Sequence, residues 1–133
     1  MSTAHDDVKA RIDAIEESYE FYLAYAAQGL SSDQGVKSGG QLREFLKQME
    51  TALDGLTDAF RALVSDDDAA LAGAWEEALA VLERDASASL ATVRLVASRK
   101  GISSQLIDNL NANIHLRALL TDLFLLDDLI DLN

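Results

Sequence analysis

The chain has 133 residues, no cysteine, no proline and a formal net charge of −12, and a chain of this length is typical of one domain, here residues 1–133. Because cysteine is absent, disulfides, thiolate nucleophiles and cysteine metal ligands are excluded, and a reducing cytoplasm is the expected location. The negative charge disfavours nucleic acid and anionic membranes as partners. The sequence contains no uncharged apolar run of about 18 residues, so no membrane-spanning helix is predicted.

The first predicted helix covers residues 6–29. Its large apolar residues recur at intervals of four and three, which places them on one face of an α-helix. Gly29 is expected to end the helix in the left-handed conformation, and the turn-forming residues 30–39 make the longest connection. The apolar face consists of Val8, Ile12, Ile15, Tyr19, Tyr22 and Ala26.

The second predicted helix runs from about residue 40 to residue 64. The third follows an acidic turn at residues 65–68 and ends at Gly101. Each carries one apolar face with helical spacing, so both need partner helices to cover them. The face of the second helix is Leu42, Phe45, Met49, Leu53, Leu56, Phe60 and Leu63, and that of the third is Leu71, Trp75, Leu79, Leu82, Ala86, Leu90, Val93 and Ala97.

The fourth predicted helix is capped by Ser103 or Ser104 and extends to about Asp131. The last two connections are short enough to force antiparallel neighbours, and ten extended residues in the first connection reach at most about 35 Å. The sequence therefore predicts an all-α, antiparallel up-down-up-down four-helix bundle. One residue near the middle of each apolar face is expected to be largely buried, namely Tyr19, Leu56, Leu82 and Leu120.

Metal binding is not predicted. Di-iron four-helix bundles use Glu-x-x-His pairs on two helices, and neither His5 nor His115 has a glutamate three positions before it. We therefore expect no bound cofactor or metal and no enzymatic activity. An all-oxygen site for a hard cation is the alternative, built from acidic residues that solvated helix faces otherwise explain; its candidates are Glu16, Glu20, Glu44, Glu50, Glu76, Glu77 and Glu83.

Residues 19–29, with the sequence YEFYLAYAAQG, resemble a segment of small ferritin-like four-helix proteins that accompany carboxysome genes. The resemblance covers about a tenth of the chain and includes no catalytic motif. It implies a ferritin-like or small-ligand-binding bundle with a buried carboxylate and tyrosine site, without metal because the Glu-x-x-His pairs are missing. This is the alternative function.

Apolar residues of the last predicted helix surround nearly its whole circumference, which is more than one bundle face requires. We expect the surplus to form a homodimer interface, because two-fold homo-oligomers are the commonest assemblies. A groove on another protein is the alternative partner. The sequence thus predicts a non-catalytic interaction or scaffold module. The predicted interface residues are Phe21, Tyr25, Phe124, Leu125, Leu129 and Leu132.

Overall fold

A computed structural model describes residues 3–65 and 71–131 of the chain, without the side chain of Asp131. All regular secondary structure in these ranges is helical, which confirms the all-α prediction. None of the described helices is long and apolar enough to cross a membrane. The helices are α1 (Thr3–Ala27), α2 (Lys37–Leu53), α3 (Leu56–Val64), α4 (Ala72–Ala97), α5 (Ser104–Ala112) and α6 (Ile114–Asp131).

The second predicted helix is interrupted, so the prediction of one continuous helix over residues 40–64 is wrong. Asp54 is extended and Gly55 has a φ of 84°, a left-handed conformation that glycine adopts without steric cost. Arg11 on α1 donates hydrogen bonds to the carbonyl oxygens of Ala52 (3.0 Å) and Asp54 (2.7 Å). The guanidinium thus satisfies carbonyl groups that the break leaves outside the helix.

The fourth predicted helix is interrupted as well. Asn113 is extended, and its Oδ1 accepts a hydrogen bond from the backbone N–H of His115 at 3.0 Å, which caps the start of α6. The predicted cap at the start of this segment is confirmed, because Ser103 Oγ accepts from the backbone N–H of Leu106 at 3.0 Å. The polar side chain of Asn113 therefore divides one predicted helix into α5 and α6.

The apolar core lies between α1 and α4 and the helices around them. Helix α1 packs against α2, α3 and α5, whereas α4 packs against α2, α3, α5 and α6. Leu56, Leu82 and Leu120 are buried as predicted, but Tyr19 is only half-buried. Leu71, predicted to begin the apolar face of the third helix, is half exposed just before α4. The predicted acidic turn lies mostly in residues 66–70, outside the described residues.

A buried carboxylate joins the two connections at one end of the molecule. Asp33 accepts hydrogen bonds from Arg43 Nε (2.8 Å) and from the backbone N–H of Ile102 (2.7 Å). Burial raises the pKa of Asp33, but these two hydrogen bonds, together with a further backbone hydrogen bond and the charge of Arg43, outweigh it and hold the pKa below its usual value. Gly39 lies so close that a Cβ atom there would overlap the carbonyl oxygen of Asp33.

Candidate association surface

Helix α6 buries one side in the core and exposes large apolar groups on the other. Phe124, Leu125 and Leu129 are 56%, 63% and 40% exposed, and we call these three residues the α6 ridge. Leu125 and Leu129 are one helical turn apart and therefore lie on the same side. Leu132, the last predicted interface residue, lies outside the described residues.

The ridge is smaller than the apolar surplus expected from the sequence. Most leucines of α6, including Leu119, are already covered by the core. Helix α4 covers one side of α6, and near its end Asp127 of α6 accepts a hydrogen bond from Lys9 of α1 at 2.8 Å. With six apolar side chains buried in the core, α6 keeps only its outer side for contacts. The buried apolar residues of α6 are Leu116, Leu119, Leu120, Leu123, Leu126 and Ile130.

The expectation that Tyr25 needs cover from a second copy is wrong, because its side chain is already buried within the chain. Its hydroxyl donates a hydrogen bond to the backbone carbonyl of Ile102 at 2.7 Å. Phe21 is half-buried and stacks on Phe45, with 4.6 Å between ring centroids. Of the predicted α1 interface residues, Tyr25 therefore belongs to the core and Phe21 is largely covered by the neighbouring helix.

Two carboxyl groups meet between α4 and α6 at the border of the ridge. The carboxyl groups of Asp85 and Asp122 lie within hydrogen-bonding reach of each other, so a hydrogen bond between them requires a proton on one of the two, and Asp122 Oδ2 is buried. Burial, the hydrogen bond and the charge of Asp85 together raise the pKa of Asp122 to about 7. Leu125 lies three residues after Asp122, and Val81, which is 42% exposed, lies four before Asp85. The pair therefore holds one proton near neutral pH beside the ridge.

The surroundings of the ridge are acidic. Asp128 is exposed between Leu125 and Leu129 in the sequence, and its neighbour Asp127 is half-buried. Burial first, and then the nearby charge of Asp127, raise the pKa of Glu16 on α1. These carboxyl groups give the ridge a negative border, which a partner surface must either tolerate or neutralise.

Of the candidate residues of the alternative function, Tyr22 and Glu50 lie close to each other: burial first, and then the charge of Glu50, raise the pKa of the Tyr22 hydroxyl. The hydroxyl of Tyr22 donates to the backbone carbonyl of Phe45 at 2.9 Å. Glu76 pairs with Arg61 at 3.1 Å on the surface. Among residues 3–65 and 71–130, no three or more histidine, aspartate or glutamate side chains lie together in a way that could hold a metal ion.

Some buried polar atoms do lack a hydrogen-bond partner. Besides the Asp122 oxygen, four such atoms are found on three helices, one on α3, one on α4 and two on α5. A buried polar atom without a partner is costly, so each such position is also a place where a water molecule or a polar ligand atom would be stabilised. The atoms are Thr57 Oγ1, Ser89 Oγ, Asn111 Nδ2 and Asn111 Oδ1.

Comparisons with known proteins gave no match. Neither a family model nor a curated protein matches the sequence, and no solved structure matches the fold. These results neither support nor oppose the resemblance of residues 19–29 to ferritin-like proteins. The residues and contacts of the chain itself are what remains to indicate a function.

Proposed function

We propose that this protein is a non-catalytic helical interaction module that associates with further copies of itself through the α6 ridge. The observation that carries the proposal is the exposure of Phe124, Leu125 and Leu129 on the outer side of one helix. Large apolar groups exposed side by side mark interaction sites more often than single exposed residues do. The smallest assembly is a homodimer, and the absence of cysteine supports a cytoplasmic location.

The architecture we propose for the module is an antiparallel bundle of four helical segments. In it, α2 and α3 form one bent segment and α5 and α6 form another, while α1 and α4 are uninterrupted segments. The neighbours of each helix support this arrangement: α1 packs on α2 and α5, and α4 packs on α2 and α6. In this proposed arrangement the breaks at Gly55 and Asn113 bend two segments without reversing the chain, in keeping with up-down-up-down order.

The size of the ridge limits the strength of the association. Each large side chain buries at most roughly 150 to 250 Å², so half-exposed side chains at three positions offer roughly 300 Å² per copy. Two such surfaces at about 25 cal/mol per Å² give roughly 15 kcal/mol before the cost of association, which is about 4 to 15 kcal/mol. We therefore expect a reversible assembly at micromolar concentration, with an interface completed by polar contacts.

A small-ligand-binding bundle is the second candidate, and the observation that favours it is the set of buried polar atoms without partners. Ser89 is fully buried on α4, and Asn111 is buried on α5. A small polar molecule bound at either residue would satisfy these groups. Because binding to the folded state stabilises it, thermal unfolding in the presence and absence of a metabolite mixture tests this candidate.

Sedimentation velocity of the intact chain over a series of micromolar concentrations tests the first candidate. We expect the sedimentation coefficient to rise with concentration in the native protein, and to stay at the monomer value in a Leu125→Lys variant. Leu23→Lys is the matched control, because Leu23 is 48% exposed on α1, away from the ridge. A native protein that stays monomeric throughout contradicts the proposal, and so does a Leu125→Lys variant that associates as strongly as the control.

A further inference from the structure

The charge of the molecule is unevenly distributed between its two ends. Residues 28–43 and 94–108 lie together, because Ser104 N–H donates to the Leu30 carbonyl at 2.8 Å and Gln34 donates to the Lys100 carbonyl at 2.9 Å. Five basic and two acidic residues lie in these two segments, a formal charge of +3 in a chain of −12. The rest of the chain therefore carries −15, and we call these two segments the basic end.

Two cations of the basic end, Arg99 and Lys100, are available to a partner, whereas Arg43 is engaged within the molecule. Arg43 donates hydrogen bonds to the carbonyl oxygens of Ala97 and Arg99, both at 2.8 Å, and so satisfies the C-terminal end of α4. The side chains of Arg99 and Lys100 are exposed and form no ion pair with the described side chains of residues 3–65 and 71–130. They are not needed to cap the helix, and their charge is directed to solvent.

A cavity of about 410 Å³ opens between the end of α4 and the start of α5 at this basic end. Its walls combine apolar side chains with one cation, Arg99. Leu95 is 67% exposed and Leu106 is half-buried. The site therefore suits a large apolar side chain that is followed or preceded by a carboxylate. We call it the 95–106 pocket, and it is lined by Leu95, Val96, Arg99, Gly101, Ser103 and Leu106.

The α6 ridge has the chemistry that this pocket requires. It presents Phe124, Leu125 and Leu129 together with the carboxylate of Asp128. The two surfaces cannot meet within one molecule, because the ridge lies near the start of α1, where Lys9 pairs with Asp127, whereas the pocket lies near its end. A helix of 25 residues separates these ends, which corresponds to about 37 Å.

Electrostatics distinguishes two ways in which the ridge of one copy can pack on a second copy. Packing ridge against ridge brings together two acidic ends of like charge, which costs free energy at low salt. Packing the ridge against the basic end pairs opposite charges and covers the exposed Leu95 as well. Taking the proposed self-association through the ridge as given, we infer that the α6 ridge of one copy docks in the 95–106 pocket of the next.

This contact joins two different surfaces, so each pair of copies retains one free ridge and one free pocket. Unless the rotation between copies closes a ring, such a heterologous contact produces open chains rather than a closed dimer. Salt is expected to weaken the contact because it screens opposite charges. We expect the dissociation constant of the native protein to rise by about tenfold between roughly 0.05 and 0.5 M NaCl.

Complementation between two variants tests the inference. The ridge variant is Leu125→Lys with Leu129→Lys, and the pocket variant is Leu95→Glu with Arg99→Glu. Each variant alone is expected to sediment as a monomer, since each lacks one of the two surfaces. An equimolar mixture is expected to form a dimer that does not grow further, because the ridge variant still offers a pocket and the pocket variant still offers a ridge.

The control for the pocket variant is Leu23→Glu with Lys47→Glu, the same kind of leucine and cation changes on exposed positions of α1 and α2. Circular dichroism and urea unfolding identify variants that fail to fold, and Arg99→Glu alone then replaces the double change. A folded pocket variant that associates like the native protein overturns this inference but leaves the proposed function intact. A native protein that remains monomeric at low salt overturns both.

Discussion

The carboxyl pair of Asp85 and Asp122 predicts that the free energy of unfolding falls as pH rises through neutrality. The pKa of Asp122 is raised to about 7, against an ordinary value of 3.8. The folded state thus binds a proton more tightly than the unfolded chain does. Stability from this group is fully present below about pH 4 and is lost as pH rises through about 7.

The size of the effect follows from the pKa difference and the exposure of the pair. One pKa unit corresponds to about 1.4 kcal/mol, so a shift of roughly three units has an upper limit of about 4 kcal/mol. Both aspartates are only half-buried, and solvent screening lowers this figure considerably. We expect the native protein to lose about 1 to 2 kcal/mol between pH 5 and pH 8 through Asp122.

Urea unfolding of native protein and Asp122→Asn at pH 5, 6, 7 and 8 measures this contribution. The amide of asparagine donates a hydrogen bond to Asp85 without titrating, so the variant is expected to lose this part of the pH dependence and to be the more stable protein at pH 8. Asp128→Asn is the control, because Asp128 is exposed on the same helix. Taking the difference between variant and native protein removes the contribution of Glu16, whose pKa is also raised. Identical pH profiles for Asp122→Asn and native protein would refute the reasoning.

Three further predictions concern stability and ligands. Leu82→Ala should lower the free energy of unfolding by about 2 to 5 kcal/mol in urea titrations, whereas Leu23→Ala should change it by less than about 0.5 kcal/mol, because only Leu82 is buried. Gly39→Ala should destabilise the fold by about 1 to 3 kcal/mol, since its Cβ atom would overlap the Asp33 carbonyl; an unchanged melting temperature would show that the α1–α2 connection relaxes freely. Elemental analysis after dialysis should find no stoichiometric iron, manganese or zinc, and a stoichiometric metal would favour the ferritin-like alternative.

The helical faces could be predicted because they depend only on spacing along the chain. The intervals of three and four residues place Leu79, Leu82 and Ala86 on one side of α4 in any helical structure, and all three are buried. The same spacing continues across the breaks between helices and therefore does not predict them. Leu53 and Leu56 continue the apolar rhythm across Gly55, although the Asp54–Gly55 dipeptide is itself a turn signal.

The candidate site depends on which helices become neighbours, and the sequence does not specify that. Tyr25 is buried because α5 packs against α1, and its hydroxyl donates a hydrogen bond to the backbone carbonyl of Ile102, an interaction between residues 77 positions apart. The contact between Asp85 and Asp122 likewise requires the register of α4 against α6. The exposure of Phe124 and Leu125 could be predicted, because this helix is apolar nearly all round and the core covers only one of its sides.

The most direct test of the central claim is sedimentation velocity of native protein and the Leu125→Lys variant, side by side at low salt and micromolar concentrations. Self-association through the α6 ridge predicts a native sedimentation coefficient that increases with concentration and a variant that remains a folded monomer. A native protein that sediments as a monomer at every concentration, or a folded variant that associates as the native protein does, would contradict it.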